Sequence, residues 1–573
     1  MKICKCFFAM AFCLMMFSGQ AQEYVVSKYR VTFTDKNNTP YTVDDPSPYL
    51  SQRAIERRTR QHIEVLPEDL PVNSWYIDSV RNTGAEVFTV SKWFNCVTIK
   101  TTDTAVLSKI RALPFVAGID SLAESSLKKG VKMKKRKDTM DGSQSAGLNN
   151  AETGDYLLKG PSLVNTARID YGNGYTQAHM IATDYLHNLG YCGEGMVIAV
   201  LDAGFYRVDS IVVFDSLWYN NQILGTKDFV QPGGNVFSRS THGMMVLSIM
   251  GGNVPGQLVG TAPKASYWLL RSEDADSEYP VEEDNWVAAA EFADSVGADV
   301  INSSLGYTDF YNPDWNYTYQ DMNGGVARVS SGATKASAKG ILVCNSAGNS
   351  GNNDWHYIGA PADAKNILTI GAVDKNKKIA DFSSRGPTAD GRIKPSVCAM
   401  GEGTFVSSMA GSIMSGNGTS FSSPVMAGSV ACLWQAHPDK SNLKIMEAVM
   451  ASSSKFLNPD SDYGYGIPNL AAANIILQGD PIYNFDKENT TTVFPNPFTN
   501  DFRIVFYSSD TSAVDVQLVD LTGKVVYENN DIERNPGCND IHITLADELA
   551  KGYYMLKVVS DTNTFSSKIM KIQ

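Results

Sequence analysis

Several signatures are missing from this sequence, and each absence closes a class of function. Beyond the first residues, no apolar stretch reaches the ~20 residues that a membrane-spanning helix needs. No His-Glu-x-x-His occurs, so a metalloprotease has no support. Nine cysteines are spread through 573 residues with no Cys-x-x-Cys pair. Cys96, Cys192, Cys344, Cys398, Cys432 and Cys538 stand too far apart to form the ladder of a disulfide scaffold. Positive charge is not in excess either. Forty-nine basic residues against 61 acidic ones give a net charge of -12, which disfavours nucleic acid as a partner. Charged residues are only 19% and apolar residues 43%, a balance that excludes wholesale disorder and supplies sizeable cores. Length predicts three or four domains.

What is present divides the chain. Lys2 and Lys5 precede the apolar run Cys6 to Phe17, and Ser18-Gly19-Gln20-Ala21 follows with small residues. Residues 1–21 therefore read as a secretory signal cut after Ala21. An uncleaved anchor, for which the run is short, and a lipid anchor on Cys13 are the other readings. Residues 22–120 read as a small α+β unit. Strands are expected at Tyr24 to Phe33, Glu86 to Val90, Asn95 to Lys100 and Val116 to Ile119. Helices are expected at Pro48 to Gln61, with Ser47 as the cap, at Ser74 to Asn82 and at Thr104 to Leu113. Residues 121–165 carry the basic run Lys128, Lys129, Lys132, Lys134, Lys135, Arg136 and Lys137, then polar and small sequence. This is an exposed linker open to proteolysis, or else a patch for anionic surfaces.

From 166 to 478, short apolar strands alternate with helices predicted at 241–252, 284–296, 328–339 and 419–436. Alternation of this kind argues for an α/β fold with a parallel sheet covered on both faces by helices. Cys344 and Cys432 are expected in its core. After a linker at 479–492, residues 493–573 show the alternation of a β-domain, with turns expected at Leu521-Thr522-Gly523-Lys524 and at Gly552-Tyr553-Tyr554.

Four segments of the central region carry chemistry. The apolar strand Met196 to Leu201 runs into Asp202-Ala203-Gly204, and the carboxyl end of a parallel strand is where open α/β sheets build sites. The plain alternative is a turn-forming Asp. His242 follows Thr241 at the start of an apolar helix, as a cleft residue or as a structural one. Ser420 lies in Gly418-Thr419-Ser420-Phe421-Ser422-Ser423-Pro424, where a glycine loop meets a buried helix. The positive helix end favours developing negative charge. Equally, Thr419, Ser420 or Ser422 is a helix cap. Ser422 stands where a Gly-x-Ser-x-Gly elbow would have its last glycine. Asn349, in Ser346-Ala347-Gly348-Asn349 after a strand, offers an amide to an oxyanion or simply makes a turn. Acyl transfer by serine needs a nucleophile, a base, a carboxylate that orients the base, and oxyanion donors. The four segments supply one of each, in the chain order Asp, His, Ser.

These segments, together with Asp462-Tyr463-Gly464-Tyr465-Gly466-Ile467-Pro468-Asn469, resemble the subtilisin-like (subtilase, S8) serine peptidases over about 300 residues. The resemblance implies that Asp202 orients His242, that His242 takes the proton of Ser420, and that Asn349 and the Ser420 N–H bind the oxyanion. It implies that Ser303-Ser304-Leu305-Gly306 pairs with an extended peptide substrate. Two departures are Ala203 between Asp202 and Gly204, and Met245 where many members have a second His. Residues 22–120 resemble the family's ferredoxin-like inhibitory propeptide, released by cleavage between 121 and 165. Residues 493–573, opening with Phe494-Pro495-Asn496-Pro497-Phe498 and ending in a strand with Lys571, resemble the type A C-terminal sorting domain of the type IX secretion system of Bacteroidota. A carbohydrate- or protein-binding β-sandwich is the other reading. The implied protein is a secreted serine endopeptidase that passes through the periplasm. Its partners are polypeptide substrates, its own propeptide and the secretion machinery, with no nucleic acid and no stable membrane span. No cofactor is required for the chemistry. Structural calcium stays open, and no loop shows diagnostic ligand spacing. The rivals are a catalytically dead binding module of the same fold and a serine hydrolase that cleaves esters but not peptides.

Overall fold

In a computed structural model of the chain, the described residues are 28–123, 169–478, 492–508, 513–534, 537–545, 549–560 and 564–572. The expected signal at 1–21 and most of both expected linkers lie outside them. Among the described residues, no helix is long and apolar enough to cross a membrane.

The N-terminal unit consists of β1 (Lys28–Phe33), α1 (Gln52–Arg60), α2 (Ser74–Asn82), β2 (Glu86–Ser91), β3 (Cys96–Lys100), α3 (Thr104–Arg111) and β4 (Val116–Ala123). Its antiparallel sheet has the order β2-β3-β1-β4. Val31, Phe33, Val97 and Ile99 from the sheet pack on Val80, Val106 and Ile110 from the helices. The first helix begins four residues later than the sequence suggests. Ser51, not Ser47, accepts the Ala54 N–H at 3.2 Å, while the Ser47 hydroxyl donates to Asp45. Strand β4 also runs on to Ala123, past the expected end of this unit at 120.

The central unit is built on a seven-stranded parallel sheet. Its strands are β5 (Val197–Asp202), β6 (Ile223–Asp228), β7 (Ser266–Arg271), β8 (Val300–Ser303), β9 (Leu342–Ser346), β10 (Leu368–Val373) and β11 (Val397–Met400), in the order β11-β10-β9-β8-β5-β7-β6. A strand sends alternate side chains to opposite faces. Accordingly Ile198 and Val200 enter one core with α4 (His242–Gly251) and α7 (Thr419–Ala436). Val197, Ala199 and Leu201 enter the other with α5 (Val281–Val296) and α6 (Arg328–Ala338). Both faces are covered, which is why β5 reads as an unbroken apolar run. Cys344 and Cys432 are fully buried, as are Met244 and Val246 of α4, and Met245 is nearly so.

The C-terminal unit is a sandwich of two antiparallel sheets. One holds Thr492–Phe494, Asp501–Ser508 and Gly537–Thr544; the other holds Val514–Val519, Val525–Ile532, Gly552–Val559 and Thr564–Lys571. Phe498, Phe502, Val516, Leu518, Leu556 and Ile569 fill the space between them. Leu521 to Lys524 turns as expected, with Asp520 Oδ1 accepting the N–H groups of Thr522 and Lys524. Gly552-Tyr553-Tyr554 leads out of a bend at Lys551, and the strand expected over Tyr553–Val558 is observed over Gly552–Val559. In that strand Tyr554, Leu556 and Val558 alternate into the core.

Candidate active site

Asp202 is the last residue of β5 and has no exposed surface. Its Oδ1 accepts the Ala203 N–H at 2.7 Å, so it does shape the turn. It also does more. His242 Nδ1 lies 2.9 Å from Oδ1 and 3.0 Å from Oδ2. A buried carboxylate facing Nδ1 fixes the proton on that nitrogen and leaves Nε2 as the basic one. Two glycines let the segments meet. A Cβ on Gly243 would lie 2.4 Å from the Gly204 carbonyl and 2.9 Å from the Asp202 Cβ. One on Gly204, at φ +152°, would lie 2.6 Å from the Ser240 N.

Ser420 is the second residue of α7 and is buried. The helix's N-cap is Gly418, with no side-chain cap, so capping does not account for the hydroxyls that follow. Ser422 Oγ instead donates to the Thr419 carbonyl at 3.0 Å. Ser420 and Ser304 hold each other. Ser420 Oγ donates to the Ser304 carbonyl at 3.3 Å, and Ser304 Oγ donates to the Ser420 carbonyl at 2.9 Å. Phe421, the next residue, stacks its ring toward His242 with centroids 6.3 Å apart, which brings the starts of α4 and α7 to one place. The backbone N–H of Ser420 belongs to the first helical turn, where donors have no intrahelical acceptor.

Asn349 meets the same turn. Its Oδ1 accepts both the Thr419 N–H at 2.9 Å and the Thr419 hydroxyl at 3.0 Å, and Thr419 Oγ1 accepts the Gly348 N–H at 3.1 Å. With its oxygen so engaged, the Asn349 side chain turns its NH2 group away from Thr419, and among the described residues that group has no acceptor. Ser304, Leu305, Gly306, Gly348, Asn349, Thr419 and Ser420 line one cavity. Ser303 does not share in it. It is the last residue of β8, registered between Leu201 and Asn345, and its hydroxyl accepts the Trp286 indole N–H at 2.9 Å. The stretch open to a ligand therefore begins at Ser304.

Two positioning groups were not legible in the sequence. Thr419 reads there only as a candidate cap. Arg271, at the end of β7, donates from Nε to the Ala203 carbonyl at 3.1 Å and from Nη1 to Asp228 at 3.1 Å, which steadies the Asp202 turn. Nothing local marks that arginine, because β5 and β7 become neighbours only in the folded sheet.

Three parts of the chain are similar to known families. The model of the subtilase family matches residues 193–466. That segment belongs to the subtilase family. The relatives in that family are serine endopeptidases. The Bacteroidota propeptide domain of S8 peptidases matches residues 28–139, and the secretion system C-terminal sorting domain matches 492–573. Subtilisin E of Bacillus subtilis (strain 168) is 27% identical over 326 residues, which are 55% of this chain and 77% of that one. Subtilisin DY of Bacillus licheniformis is 28% identical over 299 residues, 51% and 96% of the two chains. Serine protease AprX of Bacillus subtilis (strain 168) is 26% identical over 307 residues, 48% and 65%. Among solved structures, MycP1 from Mycobacterium smegmatis is similar at 21% identity and a TM-score of 0.41, covering 55% of this chain and 86% of that one. The subtilase segment thus carries a family propeptide domain before it and a sorting domain after it.

Proposed function

We propose that this subtilase is a secreted endopeptidase, made as a precursor, in which Asp202, His242 and Ser420 hydrolyse peptide bonds through an acyl-enzyme. The observation that carries the proposal is the pairing of His242 Nδ1 with a fully buried Asp202 beside the helix start that bears Ser420. Asp202 orients the ring and stabilises the imidazolium that forms. The Ser420 hydroxyl turns from the Ser304 carbonyl toward Nε2, gives up its proton, and attacks the scissile carbonyl. The Ser420 N–H and the Asn349 amide then donate to the oxyanion. His242 returns the proton to the leaving amine, and water completes hydrolysis by the same steps. An extended substrate lies along Ser304, Leu305 and Gly306. None of these steps calls for a cofactor. The N-terminal unit keeps the precursor latent until cleavage in the segment between the two units, and the C-terminal unit directs type IX export to the cell surface or medium.

A fluorophosphonate probe should label Ser420, and Ser420→Ala should lower turnover on the order of 10⁶-fold, as in subtilisin itself. The same variant should accumulate as unprocessed precursor. Labelling elsewhere, or full activity in the variant, would defeat the assignment. Asn349→Ala should lower kcat about 10²–10³-fold with little change in KM, again the size of the loss subtilisin shows. An unchanged kcat would remove Asn349 from the oxyanion site.

A further inference from the structure

Glu273, Glu278 and Glu282 converge where the chain leaves β7 and enters α5. One carboxylate oxygen from each lies within 4.8 Å of the other two. Glu273 and Glu282 have no exposed surface, whereas Glu278 is half-buried and opens the group to solvent. Ser277 Oγ donates to Glu282 Oε1 at 3.0 Å. The other oxygen of Glu282, Oε2, is buried with no hydrogen-bond partner among the described residues. Burial, and then the charges of Glu273 and Glu278, push the Glu282 carboxyl well above its ordinary range. Of the nearby cations, Arg271 pairs with Asp228 at 3.1 Å and with Asp274 at 3.3 Å, while Lys28, whose Nζ sits over the Phe88 ring at 4.5 Å, also feels the charge of Glu282 from the N-terminal unit.

A buried carboxylate with an unsatisfied oxygen is costly unless a proton or a cation relieves it. One proton would settle Glu282 and leave the mutual repulsion of the other two. A divalent cation settles all three. Calcium takes oxygen ligands at 2.3–2.6 Å, so oxygens on opposite sides of the ion are separated by roughly 5 Å, and three carboxylate oxygens at the observed spacing fit around one. We propose that Glu273, Glu278 and Glu282 hold a calcium ion, with water entering on the Glu278 side. The site has a reason to matter for the cleft. Tyr307 donates its hydroxyl to Glu273 Oε2 at 2.8 Å, and Tyr307 also lines the cavity beside Ser420. The ion would brace that wall. The proposal stands on the carboxylates alone and not on the catalytic assignment.

The test is calorimetric titration and thermal melting of the full chain with calcium chloride, carrying Ser420→Ala so that self-digestion cannot interfere. One ion per chain is expected, with a melting temperature raised by about 5 °C at calcium 100-fold above Kd and lowered again by chelator. Glu282→Gln should weaken binding at least ~10-fold, since ligand charge sets calcium affinity. Glu278→Gln, on the half-buried side, should do the same and guards against a Glu282 variant that misfolds. Absence of both heat and melting shift in the parent chain would overturn the site. So would calcium binding that is unchanged in Glu278→Gln and in any folded Glu282→Gln.

Discussion

The two flanking units meet the central unit by different physics. The N-terminal unit docks through buried charge. Asp294 of α5 pairs with Arg57 at 2.6 Å, Arg58 at 2.9 Å and Lys92 at 3.1 Å. One turn earlier, Glu291 accepts from the Ser91 hydroxyl at 2.6 Å and from the N–H groups of Lys92 at 2.7 Å and Trp93 at 3.0 Å. Trp93 itself joins the core beneath α5. Burial alone would raise the pKa of Asp294, yet Lys92, Arg58 and Arg57 outweigh it and hold the carboxyl well below its ordinary range. The C-terminal unit docks on small apolar groups. Val505 meets Ala182, Ala471 and Ala472, and Arg503 Nη1 donates to the His179 carbonyl at 2.9 Å. The first contact is specific and fails badly if one partner goes; the second gains little from each group and yields gradually. The contrast suits a propeptide that must seat in one way and a tail that has only to ride along.

Asp294→Ala in the Ser420→Ala precursor puts the charged docking under the most severe strain. It strands Arg57 and Lys92 against α5 without their anion and leaves Arg58 with Asp69 alone. Removing one partner of a buried ion pair costs about 3–5 kcal/mol. Melting and limited proteolysis should show the N-terminal unit loosened by that amount. A loss under ~1 kcal/mol would mean that apolar contact such as that of Trp93 carries the docking.

Legibility followed the same division between local and distant causes. Strand β5 was readable because both of its faces are buried, and Asp202, His242, Ser420 and Asn349 were readable because each lies at or just beyond the end of an element, with a glycine within two residues. Strand β6 was not anticipated. It is one of the two edge strands, half-exposed and polar in Thr226, Lys227 and Asp228, so neither an apolar run nor alternation marks it. The contacts of Asp294 were equally hidden, since they join residues about 200–240 apart in sequence. The placement of Ser303 inside the sheet was concealed for the opposite reason: Ser303 and Ser304 look alike in sequence, and only the register of β8 separates the buried hydroxyl from the one that meets Ser420.

The C-terminal unit should respond more mildly. Arg503→Ala removes a charged donor from the His179 carbonyl and leaves the Val505 contact in place. A hydrogen bond involving a charged group contributes about 1.5–3 kcal/mol, and with the Val505 contact kept a loss near the lower end, about 1.5 kcal/mol, is expected. Hydrogen exchange at the Asp501–Ser508 strand should report it as a modest gain in opening, with the N-terminal unit unaffected. If Arg503→Ala freed the C-terminal unit as thoroughly as Asp294→Ala frees the N-terminal one, both units would be docked by single polar anchors. The distinction between a charge-locked propeptide and a lightly held tail would then fail.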